Sequence, residues 1–243
     1  MPDDRQPAPG LLSTCIADLM RPGVAAATRR LIAAACGAEP RIPAAQTCCG
    51  QPALNAGRRA DAKRLLLRMA RLFADCATVV APSGSCVGAI KKHMAGLFAP
   101  DEEGAAEARE FAAKCMELSE YLVERGFEPR PAAKPLTIAY HDSCAGLREL
   151  GIHDGPRALL AAAGHTLVPL EDADVCCGFG GSFAVKFGEV SAHMAEDKCR
   201  CALAAGADVL ALGDLGCLLN IEGRMLRRGE ALPVHHYAEL IAD

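Results

Sequence analysis

The cysteines constrain this chain more than any other feature. A Cys48-Cys49-Gly50 triplet returns as Cys176-Cys177-Gly178. Each triplet stands between one cysteine upstream and one downstream, Cys15 and Cys86 for the first, Cys144 and Cys217 for the second. The upstream spacings are 33 and 32 positions, the downstream spacings 37 and 40, and matching members lie 128 to 131 positions apart. The chain is therefore one cysteine-bearing unit written twice.

Thirteen cysteines in 243 residues would suit a disulfide scaffold only in a much shorter, secreted chain behind a signal peptide. Residues 1–10 are polar and proline-containing with no apolar h-region, and read as a disordered tail. No run approaches the ~18 apolar residues of a membrane span. The expectation is a cytoplasmic, reducing home in which thiolates serve metal. A net charge of −4 without a Lys/Arg cluster argues against nucleic acid as a partner. Tryptophan is absent and aromatics are scarce, so the core has to be built from Ala, Leu, Val and Ile.

Short apolar runs alternate with amphipathic ones, which predicts parallel α/β layers. The fold class expected is α/β, with two pseudo-symmetric open parallel-sheet units over 11–130 and 131–243 and a proline-rich linker at 128–135. In the first unit Leu11 to Ile16 reads as a buried strand with Cys15 near its end. Pro22 opens a helix that Gly37 stops, and Arg41 to Pro43 is a second short strand. Residues 58–76 are a helix with a basic, solvated side, and Thr78 to Ala81 a strand. Cys86 begins a helix to about Phe98, and 107–125 form one helix. The pattern restarts with strands at 136–140 and 166–170, a helix from Pro156 to Ala163, a long helix over 182–204 and a strand at 209–212. A helix opens at Cys217, and a last strand covers Pro233 to His236.

On this reading Cys15, Cys86, Cys144 and Cys217 sit just past strands, where ligands collect in open α/β sheets. Cys86 and Cys217 fall at helix N-termini, where the dipole favours the thiolate that metals need. The glycine after each Cys-Cys pair lets the backbone turn sharply and leaves room beside a cofactor. Four soft thiolates per unit select an iron–sulfur cluster or zinc. Adjacent cysteines reach two irons of one cluster more easily than one ion, which favours iron–sulfur in both units. Cys36, Cys76, Cys115, Cys199 and Cys201 have no partner in the other repeat and read as buried structural cysteines in or beside helices.

The motifs Cys15-Ile16-Ala17-Asp18, Gln46-Thr47-Cys48-Cys49-Gly50-Gln51-Pro52, Pro82-Ser83-Gly84-Ser85-Cys86, His141-Asp142-Ser143-Cys144 and Cys176-Cys177-Gly178-Phe179-Gly180-Gly181 run in order through almost the whole chain. With them the sequence resembles the lactate utilization protein A family, two-repeat cysteine-rich proteins related to the iron–sulfur subunit of glycolate oxidase and to the cysteine-rich component of heterodisulfide reductase. The resemblance implies an iron–sulfur oxidoreductase subunit of a multi-protein system that oxidises L-lactate to pyruvate. Its partners would include a ferredoxin-like iron–sulfur protein, and its substrate would be a small 2-hydroxy acid. The alternatives are a glycolate oxidase- or heterodisulfide reductase-like subunit, and a zinc-binding scaffold. The heterodisulfide reductase branch closes each repeat with Cys-x-x-Cys. Here Ser83 and Asp214 stand at the first of those positions, leaving four matching cysteines per unit, enough for a [4Fe–4S] cluster, with Asp214 a candidate hard ligand.

His141, three residues before Cys144, is a candidate proton donor or partner to the cluster, against the plainer reading of a hydrogen-bonded strand cap. Gly178, Gly180 and Gly181, like Gly50, are assigned to backbone clearance beside the cofactor. The loop is not the dinucleotide G-x-G-x-x-G, so neither NAD nor flavin is expected. His235-His236 is a weak metal signal, because neighbours on a strand point to opposite faces.

Overall fold

The computed structural model describes residues 8–242, and all but the last few residues of the expected 1–10 tail lie outside that range. Pro9 and Gly10 are buried, with Gly10 already in the first strand.

Strand β1 (Gly10–Leu11) is followed by helices α1 (Cys15–Met20) and α2 (Pro22–Cys36). Pro22 takes the first helical position, where a missing N–H costs nothing, and Gly37 closes α2 at φ 73°. Next come α3 (Gln51–Asn55), α4 (Arg59–Leu72) and β2 (Val79–Ala81). Helix α5 (Gly84–Gly88) runs on as a π-helical segment, Ala89–Met94, and a 3-10 turn, Ala95–Leu97. The unit ends with α6 (Ala105–Lys114), β3 (Cys115–Glu117) and α7 (Leu118–Glu124). The second unit repeats the order: β4 (Thr137–His141), a π turn (Ala145–Glu149), α8 (Asp154–Ala162), β5 (Thr166–Val168), α9 (Phe183–Lys186), α10 (Gly188–Ala204), β6 (Val209–Leu212), α11 (Leu215–Arg228), β7 (Val234–His236) and α12 (Tyr237–Ile241).

Two parallel sheets result, ordered β1-β2-β3 and β5-β4-β6-β7. They match strand for strand, and the place of β5 is taken in the first unit by a single parallel bridge between Gly10 and Arg41. The expected strand at Arg41 to Pro43 is therefore one bridge long. The units pack about a pseudo-twofold relation. Helix α2 lies against α12 as its counterpart α8 lies against α7, and α1 meets α11 as the 145–149 turn meets α5. One apolar cluster runs through both units, joining Leu31, Ile32, Val80 and Tyr121 to Ile138, Leu160, Tyr237 and Ile241. At roughly 1.5–3 kcal/mol for each large apolar side chain buried, this shared core holds the units as one body.

Three elements differ from the sequence expectation. The helix expected at 107–125 is interrupted by β3, whose residues 115–117 pair in parallel with 79–81 of β2. Glu117 then restarts the helix through a capping box with Glu120, so sheet pairing and a cap override a continuous helical pattern. Cys115 is thus a strand residue. The strand expected from Leu11 to Ile16 stops at Leu11, because the Thr14 side chain accepts from Ala17 N and caps α1, whose first residue is Cys15. The helix expected over 182–204 breaks at Phe187, which has φ −126°.

Candidate metal centres

Each unit gathers its four thiols at the ends of its central strands. Cys86 and Cys217 occupy the same position, the third residue of α5 and α11, behind the N-caps Ser83 and Asp214. Cys15 opens α1, and Cys144 precedes the 145–149 turn. The Cys-Cys pairs come in on the loops before α3 and α9. In both units the glycine after the pair donates its N–H to the first thiol of the pair, Gly50 to Cys48 and Gly178 to Cys176, each at 3.4 Å.

The thiols follow one another along each unit, Cys15–Cys48–Cys49–Cys86 and Cys144–Cys176–Cys177–Cys217, and perturb one another's titration. The first thiol of each Cys-Cys pair is the one shifted downward. Cys48 is pulled down to about 3, first by Cys15, then by Cys49 and the Gly50 N–H. Cys176 is pulled down to about 2 by Cys144, then by Cys177 and the Gly178 N–H. Cys15, Cys49, Cys144 and Cys177 are held well above the ordinary thiol range, because each keeps its proton against the neighbouring sulfur and is partly or wholly buried. Four converging soft donors are what a thiophilic metal or an iron–sulfur cluster requires, so the residues fit such a group. In front of the first set lies a cavity of about 290 Å³, bordered by Cys15, Cys48, Cys49 and Cys86 and by Phe179, Gly181, Leu215 and Gly216 of the other unit. The first centre therefore opens onto a space that the second unit walls.

His141 ends β4 inside the second centre. It is completely buried, and one of its ring nitrogens lies within 4.8 Å of the Cys177 and Cys217 thiols. Burial pushes the ring down to about 3, with the Lys198 charge adding to it, so it stands neutral and is no ready proton donor. The plain strand-cap reading covers only one of its nitrogens, Nδ1, 3.0 Å from the Ala173 carbonyl.

The sequence did not point to Lys198. It lies buried on the inner face of α10 and donates to the Asp172 carbonyl, and desolvation lowers its pKa. The one signal available was a lysine on the apolar spacing Ser191, Ala195, Lys198, Cys199, Ala202. Asn220 was missed as well; its side chain donates to the Cys177 carbonyl at 2.8 Å.

Asp214 is not placed as a hard ligand. One oxygen accepts from Ser83 Oγ at 3.1 Å and Ser85 N at 2.9 Å, and the other from Gly216 N at 3.0 Å. It caps its own helix and reaches across to the start of α5. Nor are His235 and His236 a metal pair. His236 is buried, with Nε2 on the Pro82 carbonyl at 3.1 Å and Nδ1 accepting from Ala238 N, while His235 points outward toward Glu239. Gly50 and Gly178 have φ of 99° and 87°, as a sharp turn demands. Their clearance is toward protein, however. A Cβ on Gly50 would strike Met94, one on Gly178 Met194 and the Ser191 backbone, and one on Gly180 Phe183. Of the four glycines only Gly181 borders the cavity. The remaining five cysteines stay outside both centres; Cys199, for one, faces the Ile221 carbonyl.

Comparison with known proteins agrees with the duplication. The model of the family described as a cysteine-rich domain, CCG, matches residues 10–91 and again 138–222. Lactate utilization protein A of Geobacillus kaustophilus is 43% identical over 233 residues, 95% of this chain and 97% of that protein. The protein of the same name from Exiguobacterium is 39% identical over 241 residues, 98% of each chain. Among solved structures, an aspartate racemase homologue from Pyrococcus horikoshii aligns over 97% of this chain and 95% of its own, at 12% identity and a TM-score of 0.35, too low to carry an argument.

Proposed function

Because the chain belongs to the lactate utilization protein A family of two-repeat cysteine-rich CCG proteins, we propose that it is the iron–sulfur subunit of a lactate-oxidising system. The carrying observation is the convergence of four cysteine side chains in each unit, around Cys48 in one and Cys176 in the other. Cys15, Cys48, Cys49 and Cys86 hold one group, and Cys144, Cys176, Cys177 and Cys217 the other, in units spanning 11–130 and 131–243. A [4Fe–4S] cluster at each site supplies one-electron transfer. The chain's own residues keep the thiolates poised, cap the two helices that carry Cys86 and Cys217, and wall the space in front of the first centre. Electrons from a 2-hydroxy acid, lactate by family, pass through this chain between partner proteins, one of them ferredoxin-like, in the cytoplasm. Among the described residues no helix is long and apolar enough to cross a membrane.

A second reading, zinc in the second unit, is favoured by the imidazole nitrogen beside its thiols, a donor mixture common at zinc. Iron, zinc and acid-labile sulfide measured on anaerobically prepared protein, with its EPR spectrum, test the proposal. About eight irons with matching sulfide per chain, the content of two [4Fe–4S] clusters, support it, as does lactate-dependent reduction in the presence of the partner proteins. Zinc in place of iron, with no sulfide, refutes it.

A further inference from the structure

We infer that His141 is a nitrogen ligand to the metal of the second unit, and that the two centres consequently have different donor sets. The inference rests on the second unit being a metal site, but not on that metal being iron.

Three histidines are buried among the described residues, His141, His165 and His236. His165 uses both nitrogens, accepting from Leu136 N and donating to the Leu240 carbonyl. His236 does the same between Ala238 N and the Pro82 carbonyl. A histidine kept only for structure in a dry interior is satisfied on both sides in this way, since an orphaned polar atom costs roughly 1–3 kcal/mol. His141 breaks the pattern. Its Nδ1–H donates to the Ala173 carbonyl, which leaves the lone pair on Nε2, and Nε2 is buried with no hydrogen-bond partner. The Cys177 and Cys217 sulfurs lie within 4.8 Å of a nitrogen of this ring. An N–H fixed on a carbonyl, with the other nitrogen unpartnered and cysteine sulfurs beside the ring, is the arrangement of a metal-bound imidazole.

The duplication supplies an internal control. Leu12 precedes Cys15 by three residues as His141 precedes Cys144, and Leu12 is fully buried in the cluster that contains Cys49. The buried positions of α4 and α10 also correspond, Ala62, Leu66 and Met69 with Ser191, Ala195 and Lys198. The first centre is thus backed by Leu12 and Met69, and the second by His141 and Lys198. Repeats that agree in all eight cysteines have diverged behind them, toward an apolar wall in one unit and a nitrogen donor with a buried cation in the other.

The test uses metal-free protein labelled with nitrogen-15 in histidine and loaded anaerobically with cadmium-113, a thiolate-seeking probe. One cadmium resonance split by a single histidine nitrogen is expected, with the splitting abolished in His141→Leu, the residue the first unit has, and in His141→Asn, which keeps a donor near the Ala173 carbonyl if the leucine variant does not fold. An unsplit spectrum in the unmutated protein overturns the inference, whether the second centre takes no cadmium or holds it by sulfur alone; so does a splitting that survives both substitutions. Iron and sulfide content are read separately on protein that has not been stripped. Absent sulfide with a split cadmium signal refutes the iron–sulfur reading and leaves His141 a ligand.

Discussion

Replacing Asp214 separates a structural account of the second unit from a metal-ligand account. Its carboxylate is buried and takes three hydrogen bonds, from Gly216 N, Ser85 N and Ser83 Oγ. Loss of a helix N-cap costs about 1 kcal/mol, and each buried donor left without an acceptor costs roughly 1–3 kcal/mol. Water entering the gap recovers part of this, so Asp214→Ala is expected to destabilise the protein by roughly 2–4 kcal/mol, or roughly 4–16 °C in a chain of this size. Asp214→Asn keeps the acceptor that caps α11 and loses about 1 kcal/mol. Anaerobic urea and thermal unfolding give the two values, and metal analysis of the folded fraction gives the third measurement. The asparagine variant retains the metal content of the unmutated protein. If Asp214→Ala were as stable as the parent, the capping argument would be wrong; if Asp214→Asn lost metal at unchanged stability, Asp214 would be a ligand after all.

Other consequences follow from single residues. Glu117 is fully buried beneath Tyr237 and Ser119, and burial pushes its carboxyl up to about 7. The folded state therefore holds this proton more tightly than the unfolded chain. The resulting stability is complete below the ordinary carboxyl range near 4.5 and is lost as pH rises through about 7, a change of roughly 3 kcal/mol. Urea midpoints across that window would show the fall, and Glu117→Gln should flatten it; an unchanged slope in the glutamine variant refutes the assignment. Cys49→Ser and Cys177→Ser should each remove one centre and leave the other, halving metal content, whereas loss of all metal from either would mean that the centres are not independent. Gly178→Ala should cost more stability than Gly50→Ala. Both force a side chain to positive φ, at roughly 1–2 kcal/mol, but the new Cβ meets the Ser191 carbonyl oxygen at 2.9 Å in one case and the flexible end of Met94 in the other. Equal unfolding midpoints would refute that ordering.

Where one local signal decided an element, the sequence was sufficient. Strand β6 has the expected bounds, Val209–Leu212, four buried apolar residues between Asp208 and Gly213, and α2 runs between the Pro22 and Gly37 that were read as its limits. Strand β3 was illegible because nothing within 107–125 records that Cys115, Met116 and Glu117 will find β2 alongside; helical periodicity in the flanks hid a three-residue strand. The convergence of eight cysteines was readable because the pattern occurs twice. The duplication also equated Ser83 with Asp214, but equivalence does not reveal contact. Only the fold shows that the two meet, and that Asp214 accepts from N–H and O–H donors. His141 was visible as a residue near Cys144, while its free nitrogen depends on the Ala173 carbonyl, 32 residues away, which no spacing rule locates.

The contact between Ser83 and Asp214 also determines how the two centres depend on each other. Equivalent residues touch only where a pseudo-twofold axis passes, and the Gly84 N–H on the Gly213 carbonyl marks the same place. Cys86 and Cys217 each lie three residues beyond that contact, on helices whose first turns are capped there. A change in this polar seam therefore reaches both centres at once, whereas a change at Leu12, Met69, His141 or Lys198 reaches one. The cavity before the first centre adds a second dependence, since Phe179, Gly181, Leu215 and Gly216 of the second unit form one side of it. Gly216 admits the Phe179 ring only because it lacks a Cβ, which would lie 2.4 Å from that ring. Duplication thus produced more than two copies of a site. The second copy walls one side of the space before the first, while the side chains behind the two sets of cysteines differ, Leu12 and Met69 in one unit and His141 and Lys198 in the other.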